Sequence, residues 1–176
     1  DWIPKVDPFP TGNEDFIIVQ PVLQYPADAG TGWSVKSWWV TVDIGAGSSP
    51  EVAVQPGDVI FGNMTRTGPG AWFIDSVSTS TGKHTSIRAT GLGARLDDEP
   101  WAYVTMECYG CTSCATLPSG NSSSAFGALT LAGKGGAPIE PEWRANPKPA
   151  RDRTCPSSID IVNATNVNIY PGTKAA

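Results

Sequence analysis

Residues 59–90 read VIFGNMTRTGPGAWFIDSVSTSTGKHTSIRAT, and this stretch decides the fold class. Three runs rich in β-branched and aromatic residues, Val59–Thr67, Ala71–Thr79 and His84–Thr90, are separated by Gly68-Pro69-Gly70 and by Ser80-Thr81-Gly82-Lys83. Glycine supplies the left-handed backbone that tight turns need, and proline pre-sets a turn's first corner. Strands joined by such short turns pair antiparallel, so the stretch predicts a three-stranded meander. Gln55-Pro56-Gly57-Asp58 is a further turn signal leading into it.

Upstream, after the loop Gly45–Pro50, WSVKSWWVTVDI over Trp33–Ile44 is the longest strand candidate. Successive side chains on a strand point to opposite faces. Trp33, Val35, Ser37, Trp39 and Thr41 therefore share one face, and Ser34, Lys36, Trp38, Val40 and Val42 the other. Both faces are partly apolar, as expected where protein covers one side of a sheet and the other lines a cleft. The pattern does not say which tryptophan points inward. DFIIVQPVLQY, Asp15–Tyr25, carries Ile17, Val19, Pro21 and Leu23 opposite Ile18, Gln20, Val22 and Gln24. Buried glutamines need hydrogen-bond partners, whereas Pro21 suits an edge strand with wet amides. Asp1–Asn13 is too proline-rich for a central strand, and within it only Trp2 stands out.

Downstream, WAYVTMECY, Trp101–Tyr109, alternates again. Ala102, Val104 and Met106 suit a core; Trp101, Tyr103, Thr105 and Glu107 form an aromatic face ending in an acid. Such a face suits a substrate groove, the alternative being a solvated outer surface. Ala125–Ala132 reads as a last short strand. From Gly133 onward glycine and proline abound, and an irregular tail is expected, tied down by Cys155, Ile159, Ile161, Val162, Val167 and Ile169.

Composition agrees with many turns and little helix. Charged residues make up 16% of the 176, Gly 19 and Pro 16 are plentiful, and no long window repeats at helical spacing. The expectation is one domain over residues 1–176, an antiparallel β-sandwich with its core at about 15–132 and the tail at 133–176. A net charge of −5 repels a phosphate backbone, so nucleic acid is not an expected partner. No apolar run reaches the length of a membrane span. The start at Asp1 without Met suggests a processed, mature form. The triplets beginning at Asn63, Asn121 and Asn163 are glycosylation sequons that fit export. Cys108, Cys111, Cys114 and Cys155 allow three pairings; two disulfides are expected rather than a metal site, since the usual two-plus-two ligand spacing is absent.

Few routes to catalysis remain. His84 is the single histidine and lies on a hairpin, so no Ser-His-Asp arrangement assembles. No glycine-rich phosphate loop opens a helix, and no paired Asp-Thr-Gly marks a two-aspartate protease. What is left is an amide, Gln24, and a carboxylate, Glu107, each near the end of a strand and able to meet on one concave sheet.

These residues resemble a family, the eqolisins, secreted fungal glutamic peptidases. Val22-Leu23-Gln24-Tyr25 resembles the strand of the family's catalytic glutamine, and Ala102-Tyr103-Val104-Thr105-Met106-Glu107-Cys108 that of its catalytic glutamate. Ser37-Trp38-Trp39-Val40-Thr41-Val42, Gly57-Asp58-Val59-Ile60, Thr81-Gly82-Lys83 and Leu117-Pro118 resemble further family pieces in the same order, over about residues 17–132. Val40 and Val42 stand where the family has a glutamate and a tyrosine, and the tail after Gly133 has no family counterpart.

The resemblance implies a concanavalin A-like or jelly-roll sandwich and a cofactor-free acid endopeptidase, secreted and monomeric. Glu107 would be the general base and Gln24 the oxyanion donor, with Trp38, Tyr103, Tyr109 and Trp2 gripping a polypeptide. A carbohydrate-binding module is the rival reading, since seven tryptophans are many and exposed indoles stack on sugars; an inactive peptidase homologue is another. A glycosidase needs two carboxylates flanking one bond, and Val40 removes the nearest second acid.

Overall fold

A computed structural model describes residues 17–26, 28, 30–41, 43–92, 102–107, 123–133, 135–145 and 157–171. The chain divides into two compact units, Asp1–Trp101 and Ala102–Ala176. The described residues are all-β, in antiparallel pairs with no helix.

In the first unit, β1 (Ile17–Gln24), β2 (Trp33–Thr41), β3 (Gly45–Ser48) and β4 (Val52–Val54) form one sheet. β2 lies at its centre, with β1 on one side and β3 and β4 on the other. As an edge strand, β1 accommodates Pro21, which has no N–H to give a ladder. The expected meander is present as β5 (Ile60–Gly68), β6 (Ala71–Ser78) and β7 (His84–Ala89). Its turns use the expected glycines, Gly70 at φ 58° and Gly82 at φ 71°. The Gln55-Pro56-Gly57-Asp58 turn closes with Asp58 N–H donating to Gln55 O at 3.0 Å.

β1 and β2 lie against β5, β6 and β7. Ile74, Ala89 and Leu92 are buried between the sheets, and Ile17, Val19, Trp39, Trp72 and Ile87 pack around them. Trp39 is thus the inward tryptophan of the Trp38–Trp39 pair, and Gly47 makes room for it. A Cβ on Gly47 would stand 2.5 Å from the Trp39 indole nitrogen.

Much of the inter-sheet contact is hydroxyl rather than hydrocarbon. Ser37 and Ser76 are buried, their Oγ atoms 2.9 Å apart. Lys36 O lies 3.1 Å from Ser76 Oγ and Thr85 O 3.2 Å from Ser37 Oγ, so the two hydroxyl protons are shared among three contacts, one of them the bond between the serines. Thr85 Oγ1 donates to Pro50 O at 2.7 Å, and Ser37 N–H to Ser49 Oγ at 2.9 Å. A buried hydroxyl without a partner is costly, so these bonds fix how the two sheets meet.

In the second unit, β8 (Ser124–Phe126) pairs with β12 (Asn166–Pro171), which pairs with β11 (Ser157–Asn163). β9 (Leu131–Ala132) pairs with β10 (Pro138–Ile139).

Four expectations change. Residues 102–107 carry no strand. Val104 and Met106 are half-buried while Tyr103, Thr105 and Glu107 are exposed, but Ala102, expected on the core face, is exposed too, so the alternation reports one-sided burial only over residues 103–107 and without a ladder. Gly45–Ser48 is a strand rather than part of a loop, because β2 ends at Thr41 and turns back on itself. Ile44 N–H donates to Thr41 Oγ1 at 2.9 Å, and Gly45 takes φ 100°. The strand expected over Ala125–Ala132 is interrupted at Ala128, whose φ of 54° no extended ladder tolerates. The tail is not irregular throughout. Val167 and Ile169 are buried on β12 of the β11–β12 hairpin.

Ser76→Ala removes the shared bond and is expected to cost about 1–3 kcal/mol in urea denaturation. Ile74→Ala, which empties the centre of the apolar cluster, is expected to cost about 2–5 kcal/mol. An unchanged midpoint for Ser76→Ala would contradict the structural role given to the hydroxyls.

Candidate functional site

The register of β1 on β2 sets the outward face of the first sheet. Gln24 lies opposite Ser34, Val22 opposite Lys36, and Gln20 opposite Trp38. Directly paired antiparallel residues share a face, while Ser37, between Lys36 and Trp38, and Trp39, next after Trp38, look inward. This outer face mixes Val22 and Trp38 with Gln20, Gln24 and Ser34, and carries one cation, Lys36, in an otherwise uncharged strand. The Lys36 side chain is only 10% exposed. A lysine so enclosed needs partners, and two are present. Its Nζ lies 2.7 Å from Asp28 Oδ2 and 4.5 Å from the centre of the Trp38 ring.

Asp28 comes from the β1–β2 connection, and a second acid, Glu51, stands just before β4. Both receive the Gln24 carboxamide. Nε2 donates to Asp28 Oδ1 at 3.0 Å and to Glu51 Oε1 at 3.2 Å. Glu51 Oε1 also accepts from Ser34 Oγ and from the Asp28 backbone N–H, each at 2.6 Å. One carboxylate oxygen thus ties the connection to the sheet. The Lys36 ammonium, and after it the Gln24 amide, hold the Asp28 carboxyl below the usual carboxylate range. On the face of β2 opposite Ser34 and Lys36, Trp33 meets Tyr25, their rings 5.0 Å apart at 43°, and Tyr25 is 64% exposed.

Of the residues singled out from the sequence, the structure brings Gln24 and Trp38 to one face. Tyr103 and Glu107 share an exposed segment of the second unit. Asn63 lies within β5, its Nδ2 donating to Thr65 Oγ1 at 3.0 Å. Asn163 sits at the β11–β12 turn, where its Oδ1 accepts from Thr165 N–H at 2.9 Å and Oγ1 at 3.0 Å. Trp2, Tyr109, Asn121 and the four cysteines, Cys108, Cys111, Cys114 and Cys155, lie outside the described residues. His84 is a surface residue, its Nδ1 3.8 Å from Asp75 Oδ1. Among the described residues no group of side chains is arranged to hold a metal, and no helix is long and apolar enough to cross a membrane.

Asp28 and Glu51 belong to no motif and were not singled out from the sequence. The one available signal was Lys36, since a lysine amid tryptophans and valines implies a nearby carboxylate.

No family model, curated protein or solved structure matches this chain.

Glu51→Ala unties Ser34, the Asp28 N–H and one Gln24 N–H together. A hydrogen bond to a charged group contributes about 1.5–3 kcal/mol, so a loss of at least that size is expected. Limited proteolysis should then cut faster within residues 25–32. Wild-type stability and cleavage rate would contradict the tie.

Proposed function

We propose that the protein is a secreted, acid-acting endopeptidase of the glutamic type, with Gln24 as amide donor and Glu107 as general base. In this reading the first unit's two sheets form a β-sandwich of concanavalin A-like or jelly-roll type. The observation that carries it is the setting of Gln24. Its carboxamide stands on the outer face of the sheet with both N–H groups turned toward carboxylate oxygens. These two acids orient the amide, and one of its N–H groups, once released, would serve a developing oxyanion. The resemblance of residues 17–132 to glutamic peptidases supports the same assignment and supplies the base.

The chemistry balances with these two groups. Ionised Glu107 takes a proton from water as the water oxygen attacks the peptide carbonyl carbon. The carbonyl oxygen becomes an oxyanion and accepts a hydrogen bond from Gln24 Nε2. Glu107 then passes the proton to the amide nitrogen, the C–N bond breaks, and a carboxyl and an amine leave. A carboxylate base of this kind works in acid. Trp38, Tyr103, Tyr109 and Trp2 are the proposed grips on the polypeptide. Two disulfides among the four cysteines and glycans at the sequons accompany the secreted reading, with a monomer as the working form.

One observation favours a second reading, glycan binding without turnover. The Tyr25 ring, 64% exposed and set against Trp33 with ring centres 5.0 Å apart, offers an aromatic surface on which a sugar ring can stack.

Denatured casein incubated across pH 2–6 separates the two. Cleavage insensitive to pepstatin is expected, lost in Glu107→Gln and reduced about 10²–10³-fold in kcat by Gln24→Ala. Cleavage that survives both substitutions would overturn the assignment. Intact casein together with retention on immobilised glycans would replace it with the second reading.

A further inference from the structure

We propose that Asp28 is a positioning residue for Gln24, a latch that holds the amide while ionised and releases it on protonation. The inference rests on the reading of Gln24 as the donor to substrate.

A glutamine carboxamide has two N–H groups. In this structure one meets Asp28 Oδ1 at 3.0 Å and the other Glu51 Oε1 at 3.2 Å, so both donors are engaged within the protein. For Gln24 to serve a substrate oxygen, one of these bonds must open. The bond to Asp28 is the one placed to do so. Glu51 Oε1 is pinned by the Ser34 hydroxyl and the Asp28 N–H, and Ser34 is fully buried. The Asp28 side chain, by contrast, is 59% exposed and sits on a connection rather than in a ladder.

Among the described residues, the groups that face Asp28 are Lys36 from β2, Glu51 from the segment before β4, and the neutral Gln24 from β1. Ionised, Asp28 accepts from Gln24 and pairs with Lys36 at the same time. Protonated, it loses the ion pair and becomes a weaker, uncharged acceptor. Lys36 keeps its place over Trp38, 4.5 Å from the ring centre. One Gln24 N–H is then free to turn outward.

The direction of the pH effect follows from the two partners. Lys36 first and Gln24 second hold the Asp28 carboxyl below the usual carboxylate range. A group so shifted adds stability above its unfolded value, and that contribution is lost as pH falls through the lower folded value. The latch is therefore closed near neutrality and opens below the ordinary aspartate range.

The test follows the Gln24 side-chain NH₂ signals in ¹⁵N-labelled full-length protein from pH 6 to pH 2. The signals are identified by their absence in Gln24→Ala. In the wild type they are expected to shift through one transition centred below the ordinary aspartate range. In Asp28→Asn the transition should vanish, with the signals at pH 6 already near the wild-type acid position. Glu51→Gln should retain the transition. Wild-type signals that stay still across the range, or a transition that persists in Asp28→Asn, overturn the latch; loss in Glu51→Gln alone assigns it to the other acid and overturns it too. The readout needs no turnover. A moving Gln24 with intact casein removes the peptidase reading and leaves the latch, whereas cleaved casein with a still Gln24 removes the latch alone.

Discussion

The hydrogen bond between Ser37 and Ser76 is the contact on which the first unit depends. Two sheets that meet through so few apolar side chains gain little from hydrophobic burial, which scales with apolar area removed from water. The apolar cluster around Ile74 supplies attraction without direction. The serine and threonine hydroxyls add direction, because a buried hydroxyl must find its partner or lose about 1–3 kcal/mol. Ser37 meets Ser76 and the Thr85 carbonyl, and Thr85 the Pro50 carbonyl, only when β2 faces β6 and β7 in a single register.

That register has its consequence on the other side of the same strand. Side chains alternate, so fixing Ser37 and Trp39 inward fixes Ser34, Lys36 and Trp38 outward. A slip of one residue would send Lys36 between the sheets, where an unpaired ammonium is intolerable. The outward face is then completed by what β1 and the connections bring to it. Gln24 arrives by pairing with Ser34, Asp28 by the ion pair, and Glu51 by standing just ahead of β4. The site is thus a by-product of how the core is sorted, which is why the two cannot be altered independently.

The meander was legible to within a residue or two because its turns are written in Gly-Pro-Gly and Ser-Thr-Gly-Lys, and glycine there has a mechanical reason. The two faces of β1 and β2 were legible from alternation alone. Which of Trp38 and Trp39 looks inward was not, since period two is symmetric; Gly47 beside Trp39 and Ser76 opposite Ser37 decide it from outside the strand. Gly45–Ser48 read as a loop because small residues have low strand propensity, yet smallness is what lets them lie beside Trp39. The β11–β12 hairpin was hidden by the glycine and proline around it, although its aliphatic residues had been noted. At residues 103–107 the pattern follows burial but not pairing, because alternation cannot supply a neighbouring strand, and Ala102, expected on the core face, is exposed. Of the candidate site, Gln24 and Trp38 were legible. Asp28 and Glu51 were not, since long-range pairing rather than any local motif brings them in.

The claim that the outward face of β2 receives a polypeptide has one direct measurement. In the Glu107→Gln protein, which would bind peptide without consuming it, unlabelled denatured casein peptides can be titrated while the indole N–H and side-chain amide signals are followed. Shifts at Trp38 and Gln24 with Trp39 unmoved are the expected result. No shift at either residue under peptide, or shifts only under oligosaccharide, would contradict it.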